Sequence, residues 1–350
     1  MRNIDNRKIS SAVSLLSALK QMDEQHVKIL FVFEDDRFIS ILTVGDVQRA
    51  IINNVKLTVP VAEIVSTDKK FAHVGEPMEE IKRKMLSLRA ECMPVLDEHG
   101  NLADVLFWND LFKKMEEPER EKINLPVVIM AGGKGTRLKP LTNVLPKPLI
   151  PVGDKTIIEE IMDQFEGIGC KKFYMSVNYK VEIMKFYLSQ LEHHYDIEFF
   201  QEEKPLGTIG SVALLKGKIN TPFIVSNCDI VIDQDYRDVY DYHKENGNDI
   251  TLVTAVKTQR IPYGVIETGE NGLMIGLKEK PENTFMFNTG VYILNPGLID
   301  EIPEGRMFHI TELMEKVKAR GGRVGCFPVS DQAWHDMGEW PEYLKLINVL

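Results

Sequence analysis

The amino-acid sequence predicts an α/β protein: a mixed, mostly parallel sheet in its larger part, preceded by a doubled module. Two observations lead to this fold class. Short apolar segments alternate with segments of helical periodicity after residue 125, a pattern typical of a sheet with crossover helices. The first third of the chain instead contains an internal repeat. A chain of 350 residues fits about two domains, and we expect them at 1–118 and 125–350, joined by a linker at 119–124.

The internal repeat relates two copies, at about residues 1–60 and 61–118. The segment FVFEDDRFISILTVGDVQRAI from Phe31 aligns with VLDEHGNLADVLFWNDLFKKM from Val95, which starts 64 positions later. In each copy an apolar strand, a polar turn and a second strand lead to an aspartate that opens a helix. A unit of about 60 residues buries only a marginal core, so we expect the two copies to pack together.

The two aspartates of the repeat are Asp46 and Asp110. The repeat resembles a tandem CBS-domain pair, a β-α-β-β-α module that often binds adenine nucleotides between its halves. The first copy keeps that family's Thr-x-x-Asp as Thr43 and Asp46, whereas the second has Phe107 in place of the threonine. The resemblance implies a regulatory adenine-nucleotide site at Thr43, Asp46 and Asp110. The alternative is that both aspartates are helix N-caps, which aspartate favours.

The C-terminal part contains strand and helix candidates in alternation. The periodicity of TIIEEIMDQFEGIG predicts a helix over 156–169 that stops at Gly169, and a second helix is predicted over 180–191. The strand candidates are short apolar runs, as expected for buried strands. They lie at 126–131, 172–178, 197–201, 222–229, 250–256 and 287–294.

Charge and composition exclude several classes of protein. Lys plus Arg number 42 and Asp plus Glu 52, and the resulting net charge of −10 argues against a protein that coats nucleic acid. No apolar run approaches the roughly 20 residues that span a bilayer, and MRNIDNRKIS has no apolar signal core. The four cysteines are too dispersed for a zinc motif or a dense disulfide framework. We therefore expect a cytoplasmic protein that binds neither nucleic acid nor membrane.

A glycine-rich loop follows the first strand of the C-terminal part, and it fits neither of two familiar motifs. The loop reads AGGKGTRL over residues 131–138. Its glycines let backbone N–H groups approach an anion closely. The dinucleotide fingerprint G-x-G-x-x-G would need a glycine where Leu138 stands, and a Walker loop would need its lysine after the second glycine, whereas Lys134 precedes Gly135. Neither hydride transfer nor a phosphate-loop NTPase is supported.

The wider segment GGKGTRLKPLTNVLPKPLIPV, residues 132–152, resembles the signature of the sugar-1-phosphate nucleotidyltransferases, G-x-G-T-R-L-x-P-L-T followed by P-K-P-L. The resemblance implies a Rossmann-like, GT-A-like domain that makes an NDP-sugar and pyrophosphate from an NTP and a sugar 1-phosphate. Arg137 and Lys147 would be catalytic cations, since both suit phosphate oxygens. The alternative is an exposed turn with incidental charges. The NTP-binding residues of the loop would be Gly132, Gly133, Lys134, Gly135 and Thr136.

The segment 201–208 resembles the base-binding part of the same family. Glu202 would meet the base, with Gly207 and Thr208 beside it. A carboxylate can accept hydrogen bonds from both N1–H and the 2-amino group of guanine, whereas uracil and thymine offer one N–H, so GTP is favoured. The alternative is that Glu202 is an ordinary surface acid.

Two aspartates match the metal carboxylates of the family. Asp229 follows an apolar strand in SNCDI, and Asp336 lies in WHDMG, which resembles the family's W-x-D-x-G. Oxygen ligands together with phosphate oxygens suit Mg²⁺, so Asp229 and Asp336 are predicted to hold Mg²⁺ and to be catalytic. They are far apart in sequence, and only the fold can unite them. Asp229 alone could be a strand-end cap, and His335 is expected to be structural.

Shorter segments match the sugar-side motifs of the family. Tyr263-Gly264-Val265-Ile266 and Glu279-Lys280-Pro281 resemble two of them, and FNTGVY resembles a third. The resemblance implies that Lys280 holds the sugar phosphate and Glu279 a sugar hydroxyl. The alternative is that Tyr263 and Tyr292 are core aromatics, and we expect this of Tyr292. The sugar-phosphate-binding residues would be Tyr263, Gly264, Glu279, Lys280, Asn288 and Gly290.

A CBS-like pair ahead of a transferase-like part most resembles the glucosamine-1-phosphate guanylyltransferases of bacterial legionaminic acid biosynthesis. That resemblance implies GTP and glucosamine 1-phosphate as substrates, and we also expect a homo-oligomer. Mannose 1-phosphate with GTP is the second hypothesis, and glucose 1-phosphate with UTP, CTP or dTTP is the third. Two hypotheses come from other classes: an adenine-nucleotide sensor whose transferase-like half is inactive, and a scaffold whose CBS-like pair only dimerises.

Overall fold

The computed structural model describes residues 4–88, 90–111, 120–191 and 195–348. The chain divides into two compact units, Met1–Glu121 and Lys122–Leu350, and the division falls inside the segment proposed as a linker. The Ile123 N–H donates to the Ile168 carbonyl, which ties this residue to the second unit. Among the helices of the described residues, none has both the length and the apolar character that a membrane crossing requires.

The first unit contains two copies of one arrangement. In each copy a short strand is followed by a helix, and the short strand pairs in parallel with the first strand of an antiparallel hairpin that leads to a second helix. The sequence repeat is therefore also a structural repeat. Its elements are β1 (Lys8–Ser10), α1 (Leu15–Glu24), β2 (Ile29–Glu34), β3 (Arg37–Thr43) and α2 (Val44–Ile52), then β4 (Ala72–His73), α3 (Met78–Leu88), β5 (Cys92–Leu96), β6 (Leu102–Phe107) and α4 (Trp108–Leu111).

The two copies share a hydrophobic cluster. Phe31 and Phe38 of the first hairpin pack in the same cluster as Cys92 and Val105 of the second, and all four are buried. The prediction that the copies pack together is confirmed.

The connection between the copies stays attached to the first one. The Val61 N–H donates to the Val13 carbonyl at 2.8 Å, and the Ser40 hydroxyl donates to the Ser66 carbonyl at 2.6 Å. Further along, the Lys69 ammonium donates to a backbone carbonyl of β3 at 2.9 Å. The first copy therefore extends past residue 60, where the sequence repeat alone placed its end.

The second unit alternates strands with helices. Its strands are β7 (Val127–Met130), β8 (Pro151–Val152), β9 (Lys155–Thr156), β10 (Lys172–Val177), β11 (Asp196–Gln201), β12 (Phe223–Asn227), β13 (Ile230–Ile232), β14 (Ile250–Arg260), β15 (Val265–Thr268), β16 (Met274–Lys278), β17 (Glu282–Leu294), β18 (Val324–Ser330) and β19 (Trp334–Asp336). Its helices are α5 (Leu141–Val144), α6 (Ile157–Gly167), α7 (Val181–Gln190), α8 (Tyr236–Glu245), α9 (Ile310–Ala319) and α10 (Trp340–Asn348).

Seven of these strands form the central sheet, in the order β11-β10-β7-β12-β17-β14-β18. Neighbouring strands are parallel except where β17 meets β12 and β14. The predicted mixed, mostly parallel sheet is confirmed, and each of the six strand candidates belongs to it. Antiparallel β17 is the element that makes the sheet mixed.

Helix α6 shows how local sequence determines an element. Thr156 and Glu159 form a capping box, in which the Glu159 carboxylate accepts from the Thr156 N–H at 2.8 Å. The chain leaves the helix through Gly169, whose φ of +104° suits glycine. The predicted helix over 156–169 is therefore confirmed in its main part. Its apolar side is buried through Ile157, Ile158, Ile161, Met162 and Phe165.

Among the described residues of the second unit, three smaller strand pairs lie outside the central sheet, and two of them bear on the site and its surroundings. β13 pairs with β19, and β15 pairs with β16, both antiparallel. Beyond Val256, β14 continues with β17 as a two-stranded hairpin that pairs Lys257 with Phe285 and Arg260 with Glu282. The β15–β16 ribbon is the outer end of this hairpin. The first pair completes the candidate site, and the second extends away from the sheet.

Candidate active site

The signature loop packs against its own second half. Gly135 has a positive φ of +61°, and a Cβ there would lie 2.8 Å from side-chain carbons of Thr142 and Lys147. The Thr142 hydroxyl donates to the Gly135 carbonyl at 2.9 Å. Gly133 and Lys134, at the tip of the loop, are exposed. The loop therefore leaves its tip open to a ligand while its base holds Lys147 in place.

Lys147 forms a buried ion pair with Asp229. The ammonium donates to Asp229 Oδ2, and the two residues are only 8% and 7% exposed. β7 and β12 are parallel neighbours with Met130 opposite Asn227, so the signature loop and Asp229 leave the same edge of the sheet. A buried charge that loses its partner strongly destabilises a fold. The pair therefore fixes both side chains at this edge.

Asp336 joins Asp229 through the pairing of β13 with β19. Ile230 lies opposite Asp336, and the Met337 N–H donates to the Asp229 carbonyl at 2.9 Å. Burial and the negative charge of Asp229 raise the pKa of Asp336, although the Gly338 N–H, which donates to Asp336 Oδ1 at 2.8 Å, acts in the opposite direction. The two predicted metal carboxylates thus lie together, and the charge of Asp229 disfavours ionisation of Asp336.

Arg137 lies on the other side of this carboxylate pair. Its guanidinium donates to Glu339 and lies 3.9 Å from Asp336 Oδ2. The hydrogen bond to Glu339 raises the pKa of Arg137 above its usual value. The indole N–H of Trp340, which follows Glu339, donates to the Lys139 carbonyl at 3.2 Å, so the start of α10 is attached to the signature loop. Arg137 is half exposed and can reach a ligand.

Sequence reasoning missed two residues of the site, Gly338 and Glu339. A Cβ on Gly338 would lie 2.9 Å from Asp336 Oδ1 and closer still to Lys147 Nζ and Asp229 Oδ2. Only glycine leaves room for the three charged groups at this position. The sequence does contain a signal for Gly338, because this residue matches the final glycine of the family's W-x-D-x-G. No role was predicted for it. Glu339 carries no comparable signal because its partner Arg137 is 202 positions away.

The donor set fits a divalent cation with hard ligands. Asp229 and Asp336 supply carboxylate oxygens, and burial together with the charge of Asp229 raises the pKa of Asp336, an effect that a bound cation would oppose. Within 4–88, 90–111, 120–191 and 195–348, no group of three or more His, Cys, Asp or Glu side chains is placed to hold a metal. Two carboxylates would therefore leave the other positions around Mg²⁺ to water and substrate phosphate oxygens.

Glu202 lies behind the signature loop and is buried, so its interpretation as a surface acid is wrong. Its Oε1 accepts from the Ser176 hydroxyl at 2.6 Å, and its Oε2 accepts from the Leu206 N–H at 3.0 Å. A Cβ on Gly132 would lie 2.8 Å from Oε1. Among the described residues each oxygen has one hydrogen-bond partner, and lone pairs are left over because a carboxylate can accept about four hydrogen bonds. Contact with a nucleotide base stays a prediction for this residue.

Gly207 and Thr208 pack against the segment before α9. The Thr208 hydroxyl accepts from the Ile310 N–H at 2.9 Å. Gly207 has a φ of +84°, and a Cβ there would lie 2.6 Å from the Phe308 carbonyl oxygen. Both residues therefore have a structural role in addition to the nucleotide contact predicted from the sequence.

We expect Gly207→Ala to lower the free energy of unfolding by about 2–4 kcal/mol, because a left-handed alanine costs about 1–2 kcal/mol and the collision adds to it. Gly217→Ala is the matched control, since Gly217 has a φ of +76° and its added methyl group would have no neighbour within 4 Å. In the control variant, the free energy of unfolding should fall only by the cost of a left-handed alanine. Urea denaturation of both variants measures the difference, and equal losses would contradict the collision.

Four of the predicted sugar-phosphate residues lie on the β14–β17 hairpin and its ribbon. A Cβ on Gly264 would lie 3.0 Å from the Glu279 carboxylate, so these two residues are neighbours. Tyr263 is 74% exposed and is not a core aromatic, and Lys280 is exposed with a φ of +43°. Lys280 lies between the end of β16 and the start of β17.

Asn288 and Gly290 lie in β17, which pairs with β12 in the central sheet. The Gly290 N–H donates to Asn288 Oδ1 at 3.0 Å. Gly290 has a φ of +91°, and a Cβ there would collide with the amide of Asn227, two positions before Asp229. Tyr292 is buried in the core of the second unit, as predicted. Gly290 therefore lies beside the end of β12, the strand that Asp229 follows.

In the first unit, Asp46 is not a helix N-cap. The N-cap of α2 is Thr43, and the Asp46 carboxylate accepts from the Thr43 N–H at 2.8 Å as the second half of a capping box. Asp46 also accepts from Lys69 at 2.6 Å and from Arg49 at 2.5 Å. Burial opposes ionisation, but the bonds from Lys69 and Thr43 outweigh it and lower the pKa of Asp46. The side chain of Asp110 lies outside the described residues.

Within the described part of the chain, His335 and the cysteines make no contact that suggests chemistry. His335 lies in β19 opposite Val231, and burial lowers its pKa. Burial also raises the pKa of the Cys228 thiol, the cysteine nearest the carboxylates, to about 12, so this group stays protonated near neutral pH. The site therefore offers carboxylates and cations rather than a thiolate nucleophile.

Solved structures with a similar fold include two bacterial proteins. HddC from Yersinia pseudotuberculosis, complexed with GMP-PN, is 24% identical, with a TM-score of 0.51 over 64% of this chain and 99% of the other. A putative glucose-1-phosphate thymidylyltransferase from Bacillus anthracis is 20% identical, with a TM-score of 0.50 over 64% of this chain and 94% of the other. At these identities the likeness concerns the fold alone.

Comparison of sequences extends the likeness to a family. Mannose-1-phosphate guanyltransferase from Pichia angusta is 38% identical over 227 residues, and the protein of that name from Yarrowia lipolytica is 37% identical over 226. Each match covers 62% of this chain and 62% of the relative's own length. The nucleotidyl transferase family model matches residues 126–350, which contain all the candidate site residues of the second unit. The chain therefore belongs to the nucleotidyl transferase family.

Proposed function

We propose that this chain transfers a nucleotidyl group from an NTP to a sugar 1-phosphate, with release of pyrophosphate. The observation that carries the proposal is the convergence of two cations, Arg137 and Lys147, with two carboxylates, Asp229 and Asp336, at one edge of the central sheet. Membership of the nucleotidyl transferase family supports the same reaction class.

The reaction needs positioning and charge neutralisation rather than a protein nucleophile. A phosphate oxygen of the sugar 1-phosphate attacks the α-phosphorus of the NTP, a new P–O bond forms, and pyrophosphate leaves with the electrons of the broken P–O bond. Arg137 and Lys147 bind the phosphate oxygens, and Lys280 aligns the sugar phosphate. Mg²⁺ held by Asp229 and Asp336 would neutralise charge on the phosphates.

GTP is the proposed nucleotide. Relatives 31–38% identical to this chain are named mannose-1-phosphate guanyltransferases, which supports guanylyl transfer. Glucosamine 1-phosphate remains the acceptor that we favour, as in legionaminic acid biosynthesis, because a doubled N-terminal module precedes the transferase unit. Mannose 1-phosphate is the second candidate, and the names of the relatives favour it.

A panel of substrates tests the proposal. Pyrophosphate release is measured with GTP, UTP, CTP and dTTP, each with glucosamine 1-phosphate, mannose 1-phosphate and glucose 1-phosphate. We expect kcat/KM for GTP to exceed that for each other nucleotide at least about tenfold, since a base-reading hydrogen-bond pair is worth about 1–3 kcal/mol. Faster turnover with mannose 1-phosphate would replace the favoured acceptor, and a preference for UTP, CTP or dTTP would overturn guanylyl transfer.

The first unit receives a separate proposal, an adenine-nucleotide site at Thr43, Asp46 and Asp110. Titration of AMP and ATP into the whole chain, followed by calorimetry and by the pyrophosphate assay, tests it. Binding heat with a changed turnover would support regulation. Binding heat without any turnover would support the sensor with an inactive transferase unit, and no heat would leave the first unit as a packing module.

A further inference from the structure

The proposed reaction gives Lys147 and Asp229 separate partners, whereas in the structure these two side chains bind each other. The reaction needs Lys147 on phosphate oxygens and Asp229 on a divalent cation. The structure instead shows the Lys147 ammonium donating to Asp229 Oδ2, with both residues almost fully buried. Burial and the charge of Asp229 raise the pKa of Asp336, and the charge of Lys147 opposes them. One ammonium therefore offsets negative charge on both carboxylates.

The ammonium and the two carboxylates lie around one point. A Cβ on Gly338 would lie 2.9 Å from Asp336 Oδ1 and closer still to Lys147 Nζ and Asp229 Oδ2. Mg²⁺ binds its oxygen ligands at about 2.0–2.1 Å. An ammonium that is hydrogen-bonded to the same carboxylate would repel the ion at close range, and charges that are this buried are screened little by solvent. Lys147 and a divalent cation are therefore competitors for Asp229.

The packing of the Lys147 side chain holds its base and leaves its end able to change partner. Lys147 begins the 3-10 turn Lys147–Leu149. A Cβ on Gly135 would lie 2.8 Å from the Lys147 Cβ and 3.5 Å from its Cδ, so the signature loop packs along the stem. The ammonium lies beyond these atoms at the end of a flexible four-carbon chain. Rotation about the outermost bonds can therefore move the charge without moving the backbone.

We propose that the Lys147 ammonium is the resident counter-ion of Asp229, that a divalent cation displaces it, and that the displaced ammonium then binds a phosphate oxygen of the NTP. The inference rests on the proposed transferase function and deepens it, because it gives Lys147 two successive partners. A buried carboxylate without a partner strongly destabilises a fold, and the ammonium supplies that partner before the metal binds. The metal must break this ion pair, so it binds less tightly than the two carboxylates alone would allow.

Binding of Mn²⁺ to the whole chain without nucleotide tests the proposal. Mn²⁺ takes the same oxygen ligands as Mg²⁺, and electron paramagnetic resonance measures its free concentration. Lys147→Met keeps the length of the side chain and removes its charge. Its Kd for Mn²⁺ should be at least about tenfold lower than that of the wild type, because the ion no longer competes with an ammonium. The same variant should release pyrophosphate more slowly, since a phosphate contact is lost.

Lys180→Met is the matched control. The Lys180 ammonium donates to the Asn143 and Val144 carbonyls at 2.6 Å, so its acceptors are neutral backbone groups. This control should bind Mn²⁺ like the wild type. A double variant, Lys147→Met with Asp229→Asn, should lose the gain in affinity. An unchanged Kd in Lys147→Met, or no binding by that variant, would overturn the proposal, and so would an equal gain in Lys180→Met.

A second measurement needs no variant and decides the matter if circular dichroism shows that Lys147→Met is unfolded. Trace acetylation of the wild-type chain, followed by mass spectrometry, compares the reactivity of Lys147 with that of Lys180. Saturating Mg²⁺ should raise the acetylation rate of Lys147 severalfold and leave that of Lys180 unchanged. An unchanged rate at Lys147 would overturn the exchange of partners.

The two measurements also distinguish this inference from the proposed function. Tighter binding of Mn²⁺ by Lys147→Met, with no pyrophosphate release by the wild type from any substrate pair, would leave the exchange standing and overturn the transferase function. Pyrophosphate release by the wild type without a gain in metal affinity in the variant would do the reverse.

Discussion

Asp336→Asn should slow pyrophosphate release at least about 100-fold, since one preorganised charge contact is typically worth 10²–10³ in rate. The folded state should be at least as stable as the wild type. Burial and Asp229 raise the pKa of Asp336, so its ionised form costs the folded state free energy near neutral pH, and asparagine removes that cost. The amide oxygen can still accept from the Gly338 N–H.

Thermal unfolding and the activity of a control variant distinguish the loss of a metal ligand from the loss of the fold. Thermal unfolding with and without Mg²⁺ should show stabilisation of the wild-type chain by the ion and little or none in Asp336→Asn. Asp300→Asn is the control, because Asp300 forms an exposed ion pair with Lys216 and such pairs contribute little. It should keep full activity. An Asp336→Asn variant that turns over at the parent rate would show that the metal assignment is wrong.

Gly338→Ala is expected to lower the turnover rate by about 100-fold, the loss that follows when a catalytic group is displaced by about 1 Å. The added methyl group would occupy space taken by Lys147 Nζ, Asp229 Oδ2 and Asp336 Oδ1. At least one of these groups must move. The movement should disturb the buried ion pair between Lys147 and Asp229 most. We expect a concurrent loss of about 1–3 kcal/mol in stability.

Gly297→Ala provides the comparison for Gly338→Ala. Gly297 lies near the start of a 3-10 helix, and a Cβ there would meet nothing within 4 Å. That variant should retain the parent turnover and stability. Steady-state kinetics measure the turnover rate of both variants, and thermal unfolding measures their stability. A Gly338→Ala variant with the parent kcat would refute the tight packing at this position.

Much of the fold could be predicted because it depends on local pattern. The apolar run at 126–131 and the 3.6-residue period of 156–169 each identify one element without reference to the rest of the chain. The repeat in the first unit is similarly local, since Phe31 and Val95 start two sequence segments that align with each other. The antiparallel direction of β17 could not be predicted, because it depends on how distant segments return to the sheet.

The site could be predicted only as separate parts. Motifs identified Arg137, Lys147, Asp229 and Asp336, but no motif contains the β13–β19 register that unites the two aspartates. The burial of Glu202 could not be predicted either, because a glutamate in a sequence does not show whether its side chain lies on the surface or behind a loop. Residues that touch across long sequence separations need the fold before they can be recognised.

The order of the site residues along the chain has a consequence during synthesis of the protein. Arg137 is made early, whereas Asp336 and Glu339 are added after β18 has completed the central sheet at Ser330. A nascent chain that has not reached residue 336 can build the sheet and the Lys147–Asp229 pair but cannot assemble the proposed site. Translation that stops within this interval, or proteolysis after Ser330, would therefore give a chain that contains all seven strands of the central sheet but lacks Asp336 and Glu339 of the proposed site.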